Sequence, residues 1–252
     1  MKHSYVSLFT VCLVACCCAA PLGAQENLNV PPAGYKAIFN GKDLTGWKGL
    51  PLKANTNAKK KETVPYVAMT MPERLAATPE ELAEAQKLAD ASAQEHWTVQ
   101  DGAIVFDGMG QSLCTDKDYG NFELYVDWKI KEKGDSGIYV RGSPQIQIWD
   151  PFTSPNVANG EQWGSGGVFN NKFNTKDPLV MADKPIGEWN TFWIKMVGDK
   201  VTVKLNGPTV ADHVIMENYW DRTQPIYPTG TIELQNHGNT LWFRNIFIKE
   251  LP

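Results

Sequence analysis

The body of this 252-residue chain has almost no cysteine. Four of its five cysteines, Cys12, Cys16, Cys17 and Cys18, crowd near the N-terminus and only Cys114 lies beyond them. No internal disulfide framework is available, so a core must carry the stability. Positive charge is scarce too: 24 Lys and Arg against 28 Asp and Glu leave a net charge of -4. No basic stripe follows any expected element, and no nucleic-acid partner is expected. The chain has no H-E-x-x-H and no cysteine pair with zinc spacing, which removes the usual tetrahedral zinc sites. With no G-x-S-x-G elbow and no phosphate-cradling glycine motif, serine hydrolases and nucleotide enzymes have no support.

Aromatic residues are abundant, with nine Trp, eight Tyr and ten Phe in a chain whose apolar share is an ordinary 42%. Some of those rings are expected to work at a surface. The N-terminus reads as an export signal over residues 1–24: Lys2 and His3, then an apolar run from Tyr5 to Ala20 that is too short to span a bilayer. Leu13-Val14-Ala15-Cys16 has the pattern of a bacterial lipobox, which would make Cys16 a lipidation site and membrane anchor; Leu22-Gly23-Ala24 offers a plainer cleavage point. An exported bacterial protein is expected, in the periplasm or on the outer membrane as a lipoprotein. Residues 25–34 form a tether ending in Pro31-Pro32, and residues 35–252 form one folded domain.

Within that domain Tyr35 to Phe39 reads as a strand, and Leu50 to Pro72 as irregular chain. Thr78-Pro79-Glu80-Glu81 combines an N-cap, a proline at the first helical position and acidic residues at the positive end of the dipole. It opens the one expected helix, running to about His96 with Leu82, Ala85, Leu88 or Ala89 and Ala93 at helical spacing. From Trp97 onward short strands alternate with Gly, Asn, Asp and Pro turns, most clearly in Phe122-Glu123-Leu124-Tyr125-Val126-Asp127-Trp128-Lys129-Ile130. Many strands, little helix and no βαβ pattern predict a two-sheet β-sandwich.

Several expected strands carry polar rows that a solvated face does not require. Period two puts Tyr139 with Arg141, then Gln145 with Gln147 and Trp149, then Glu233 with Gln235 and His237, and Trp242 with Arg244. Amide, guanidinium, imidazole, carboxyl and aromatic groups together suit a carbohydrate: hydroxyls need fixed donors and acceptors, and the C–H face of a sugar ring packs on an aromatic plane. No cofactor is expected. Asp107, Asp116 and Asp118 leave a divalent cation open, although their spacing matches no specific loop.

Five ordered motifs carry a family resemblance: Phe39-Asn40-Gly41-Lys42-Asp43-Leu44-Thr45-Gly46-Trp47, Tyr119-Gly120-Asn121-Phe122, Gly134-Asp135-Ser136-Gly137-Ile138-Tyr139-Val140-Arg141, Gly187-Glu188-Trp189-Asn190-Thr191, and Ile232-Glu233-Leu234-Gln235-Asn236-His237-Gly238 with Phe243-Arg244-Asn245-Ile246. The chain resembles the 3-keto-disaccharide hydrolase family, formerly a domain of unknown function. The resemblance implies an all-β, concanavalin A-like jelly-roll sandwich with one inserted helix and a ligand site on its concave face. It also implies cleavage of a sugar already oxidised at C3, whose ketone acidifies the C2 proton so that the C1 substituent leaves by elimination and water then adds. Such a route needs a base, an enolate stabiliser and a leaving-group acid, without the carboxylate pair of ordinary glycosidases. The resemblance further implies an acidic residue where this chain has Gln145, and glutamine cannot act as a base.

The expected catalytic groups are His237 as base or acid, Glu233 and Asp150 as alternatives to it, and Arg141 as enolate partner. Tyr139, Gln145, Gln147, Trp149, Gln235 and Arg244 are expected to bind the sugar. A non-catalytic carbohydrate-binding sandwich and a conventional glycoside hydrolase are the alternatives.

Overall fold

A computed structural model of the chain describes residues 28–142, 145–153 and 155–252. The leader and Cys16 lie outside the described residues. Fifteen strands and two α-helices follow one another among them. The first part of the chain holds β1 (Lys36–Ala37), β2 (Trp47–Gly49), β3 (Leu52–Ala54), β4 (Tyr66–Ala68), α1 (Met71–Ala76) and α2 (Pro79–His96). Next come β5 (Trp97–Gln100), β6 (Ala103–Phe106), β7 (Leu113–Thr115), β8 (Phe122–Ile130), β9 (Asp135–Val140) and β10 (Gln145–Trp149). The chain closes with β11 (Asn190–Val197), β12 (Lys200–Leu205), β13 (Thr209–Ile215), β14 (Ile232–Leu234) and β15 (Leu241–Glu250).

The fold is an all-β jelly-roll sandwich: the strand pattern predicts the sandwich, and the family resemblance implies the jelly roll. The larger sheet runs β13-β12-β11-β8-β15-β6-β5, with β1 also paired to β15; the smaller runs β10-β9-β14-β7-β2; β3 and β4 form a separate hairpin. Every pairing in both sheets is antiparallel. Strand alternation builds the interior: Phe122, Leu124, Val126, Trp128 and Ile130 of β8 are buried, and so are Ile138, Val140, Ile146, Ile148, Ile232 and Leu234 of the smaller sheet. These two sets belong to one apolar cluster. Burial of this apolar surface is the main favourable term in folding, and no disulfide contributes among the described residues.

The expected helix forms over Pro79–His96, with Thr78 and Glu81 completing a capping box. Its buried face is Ala85, Ala89 and Ala93, while Leu88 is exposed, so the small residues seat the helix. Two elements depart from expectation. Leu50 to Pro72 contains the β3/β4 hairpin, and a second helix, α1, starts from a Thr70–Glu73 capping box. The insertion therefore holds two helices rather than one. At six residues, α1 is too short to show helical periodicity in sequence.

Helix α2 closes the open edge of β2. Asp90 accepts the Gly49 N–H at 3.1 Å and Gln86 donates to the Gly49 carbonyl at 2.8 Å, which satisfies backbone groups an edge strand would leave unpaired. A Cβ at Gly49 would sit 2.2 Å from the Ala89 carbonyl oxygen. Gly49→Ala should therefore push α2 off the sheet and cost about 1–3 kcal/mol, by analogy with overpacked cores. Urea unfolding followed by tryptophan fluorescence checks this; an unchanged midpoint would show that α2 is not seated there.

Candidate functional site

Register fixes which side chains share the outer face of the smaller sheet. Gln145 lies opposite Tyr139, Gln147 opposite Gly137 and Trp149 opposite Asp135. Glu233 lies opposite Tyr139 on one side and Cys114 on the other, and Cys114 opposite Lys48. The Gln235 N–H donates to the Gly137 carbonyl at 3.0 Å, which carries the ladder one pair further. The polar rows read from Tyr139, from Gln145 and Gln147, and from Glu233 and Gln235 thus meet on one surface.

That surface is covered rather than solvated. Backbone of the segment 164–170 pairs along β10, with the Gln147 N–H donating to the Gly167 carbonyl at 3.0 Å and the Gly166 N–H to the Gln147 carbonyl at 2.8 Å. The Gln145 N–H donates to the Asn170 side chain at 3.0 Å. Polar side chains below this cover must bond one another. Gln145 Nε2 donates to Gln147 Oε1, Gln147 Nε2 donates to Asp135 Oδ1 at 2.8 Å, and Asp135 Oδ2 meets His237 Nδ1 at 3.2 Å. The four side chains form a relay ending at the one most exposed to solvent. Gly137 makes room for it, since a Cβ there would press on the Gln145 side chain at 3.0 Å.

The loop carrying His237 is tied down on both sides. The Asn236 amide donates to the Gly110 carbonyl at 2.9 Å, and the Asp135 N–H donates to Asn239 Oδ1 at 3.1 Å. With Asp135 ionised, the imidazole donates Nδ1–H to it and leaves the Nε2 lone pair free, the tautomer a general base needs. Burial raises the pKa of Asp135, while His237 and the Gln147 amide pull it down.

Glu233 is the most desolvated carboxyl of the face. Burial raises its pKa to about 7, against the opposing pull of Arg74 and a hydrogen bond with Ser112. The Ser112 hydroxyl accepts the Asn236 N–H at 3.1 Å, which leaves its proton for Glu233. Burial also raises the Tyr139 phenol, with Glu233 adding to the effect, so Tyr139 remains a neutral donor at ordinary pH. Tyr219, 41% exposed, lies near enough to add to the rise of the Tyr139 phenol.

Six sequence-predicted residues stand elsewhere or are closed off. Gln145 and Gln147, expected to bind the sugar, are only 4% and 2% exposed and bond within the relay. Arg141 has φ of +54°, which breaks the alternation after β9; its guanidinium donates to the Pro228 carbonyl at 3.1 Å and to the Gly198 carbonyl. Burial lowers its pKa to about 10. Asp150 follows Trp149 and so has the opposite parity to the Gln145 row. Burial disfavours its charge, yet the N–H groups of Lys133, Phe152 and Thr153 at 2.8–3.0 Å hold its pKa low, making it a turn staple. Arg244 lies on β15 of the other sheet, 3.4 Å from Asp127 and with its guanidinium 4.2 Å from the Trp189 ring centre. Trp149 is on the right face but only 4% exposed, its indole N–H donating to the Gly164 carbonyl at 2.7 Å, so it offers no stacking surface.

Asp107 is engaged by His96 at 2.9 Å and by the Met109 N–H, and Asp116 and Asp118 are exposed. Among the described residues no three His, Cys, Asp or Glu side chains group as metal ligands. Sequence reasoning missed Asp135, Ser112, Arg74 and Tyr219. Asp135 was within reach of it, because it sits four positions before Tyr139 and shares its face by period two.

Fold and site together define a jelly-roll sandwich with acid, base and hydrogen-bonding groups gathered on one sheet face. Residues 34–249 match the profile of the 3-keto-alpha-glucoside-1,2-lyase-like domain, and the chain belongs to that family. It is 24% identical to a 3-keto-disaccharide hydrolase of Bacteroides thetaiotaomicron, over 89% of this chain and 81% of that protein. A solved structure of a candidate glycosyl hydrolase from Parabacteroides distasonis superposes with a TM-score of 0.62 at 24% identity, covering 89% of this chain and all of that one. A second from the same organism gives 0.52 at 26% identity over 62% of this chain and 91% of the other.

The raised Glu233 has a thermodynamic consequence. Its folded pKa lies above its unfolded value, so the native state holds the proton more tightly. The stability this contributes is whole below about pH 4.5 and is lost as pH rises toward 7, by up to about 3 kcal/mol. Comparing urea midpoints of the wild type and Glu233→Gln between pH 4.5 and 7.5 checks this: the variant should lack that slope. Parallel profiles would place the Glu233 pKa near its ordinary value.

Proposed function

We propose that the protein is an exported, sugar-active enzyme that cleaves 3-keto-glycosides by elimination and hydration. The observation that carries the reading is the Asp135–His237 pair, an imidazole oriented by a carboxylate at the solvent end of a buried relay. Family membership and the 3-keto-disaccharide hydrolase relative support the substrate class.

In this reading His237 Nε2 takes the C2 proton, which the neighbouring C3 ketone has made acidic, and the resulting enolate expels the C1 substituent. Glu233, protonated through its burial, gives its proton to the departing oxygen. The Tyr139 hydroxyl is the neutral donor closest in register to Glu233 and stabilises the enolate oxygen. Water then adds across the C1=C2 bond to give the free 3-keto sugar. His237 and Glu233 are four residues apart, at most about 14 Å between Cα atoms, Glu233 on β14 and His237 on the loop that follows it. Gln235 is half-buried, and its Oε1 is buried without a protein partner. Gln145 and Gln147 act through Asp135 as positioning residues.

Purified protein should release the aglycone from a 3-keto-glucoside and leave the unoxidised glucoside intact. Cleavage of the unoxidised compound would favour a conventional glycosidase; sugar binding without release of either aglycone would favour a binding module. His237→Ala should lower kcat by about 10²-fold or more, the usual contribution of a general base. Because His237 is 56% exposed at the side chain, its loss should leave the urea midpoint nearly unchanged. Asp135→Asn should lower kcat while shifting the acidic limb of the pH profile, which the general base sets, and an unaltered profile would detach Asp135 from the mechanism.

A further inference from the structure

Beside Glu233 lies a cavity of about 270 Å³ between the edge of the smaller sheet and the helical insertion. Its floor comes from Lys48 and from Thr231, which sits two residues before Glu233 and so on the same face. Its roof comes from Arg74 of α1, and Met71, Leu75 and Leu82 supply apolar wall. Arg74 Nε and Thr231 Oγ1 are both buried without a protein partner. Native proteins seldom leave such groups unpaired, because the desolvation cost stands uncompensated. Both belong to residues that line one cavity, which points to a ligand with oxygen acceptors.

Charge narrows the class. Of the residues lining the cavity, Arg74 and Lys48 face one carboxylate, the exposed Asp118, and burial shifts the neighbouring Glu233 toward its neutral form. The balance inside is positive, and the apolar wall suits the face of a ring. At about 30 Å³ per water the space equals about nine waters, the size class of a single ring rather than a chain.

Resting on the reading of Glu233 as leaving-group acid, we propose that this cavity is the leaving-group subsite and that it takes a ring bearing a carboxylate. The carboxylate accepts from Arg74 and Lys48, the Thr231 hydroxyl bonds a further oxygen, and the ring lies on Met71, Leu75 and Leu82. The helical insertion then acts as the selector of the leaving group.

Calorimetric titration of the full protein with free compounds tests the subsite without requiring turnover. 4-Hydroxybenzoate and glucuronate represent aromatic and sugar carboxylates, and 4-hydroxybenzyl alcohol and glucose are their neutral counterparts. At least one acid should bind roughly tenfold or more tighter than its neutral partner, as charge-assisted hydrogen bonds allow. Which acid does so distinguishes the two sources. Lys48→Met, and independently Arg74→Met, should reduce that preference to within about threefold, in line with the loss of one such bond. Equal binding of acid and neutral partner, no binding of either acid, or a preference intact in both variants would overturn the subsite. Carboxylate-selective binding without cleavage of any 3-keto-glycoside would instead overturn the enzymatic reading and leave a carboxylate-binding cavity with no leaving-group role.

Discussion

A β-sheet whose second face is covered by chain rather than water must satisfy every polar group on that face internally, and the smaller sheet of this protein is under that constraint. One face packs Ile138, Ile146, Ile148 and Leu234 into the sandwich. The other carries Gln145, Gln147 and Glu233, which would sit comfortably in water but lie under loop and helix. Each polar side chain must therefore find a partner or change its charge state. The amide N–H groups meet this by bonding Gln147 and Asp135, although Gln145 Oε1 stays buried without a protein partner, and Glu233 responds with a raised pKa. Relay and raised carboxyl follow from the same desolvation.

The two covers contribute differently. Segment 164–170 binds β10 through backbone groups, immobilising Gln145 and Gln147 and, through them, Asp135. The helical insertion touches the other end, where Arg74 opposes the burial of Glu233 and α2 closes the β2 edge through Asp90 and Gln86. His237 lies between, on a loop fixed at Asn236 and Asn239. Rigid support on both sides of one exposed imidazole is what pre-organisation of a base requires.

Period-two alternation made much of this legible from residues alone. It grouped Gln145 with Gln147 and Glu233 with Gln235, and both groups point to the same surface. It failed where the backbone leaves the strand: at Arg141 the positive φ turns the side chain toward the Gly198 and Pro228 carbonyls. It was silent on cover, so Trp149, correctly placed by parity, proved closed. It also could not assign sheets, and Arg244 belongs to the other one, beside Asp127. Asp135 escaped because the expected polar row began at Tyr139, while the strand itself starts at Asp135. Arg74 and Ser112 come from segments distant in sequence, and only the folded register brings them to Glu233.

Gln145 takes on a different meaning in this setting. Taken alone, an amide where the family resemblance implies an acid suggests lost chemistry. Within the relay, Gln147 spends its N–H groups on Asp135 and on the Ser136 and Ile148 carbonyls, so its Oε1 has to accept from residue 145. Gln145 Nε2 is that donor. An ionised glutamate there would set two acceptors against each other and bring a second negative charge to a face where burial already raises Asp135. The amide keeps the relay polarised toward Asp135 and leaves a single carboxylate to orient His237. Gln145 is thus the donor end of the relay that reaches His237 through Gln147 and Asp135, and a glutamine there fits the proposed base at His237.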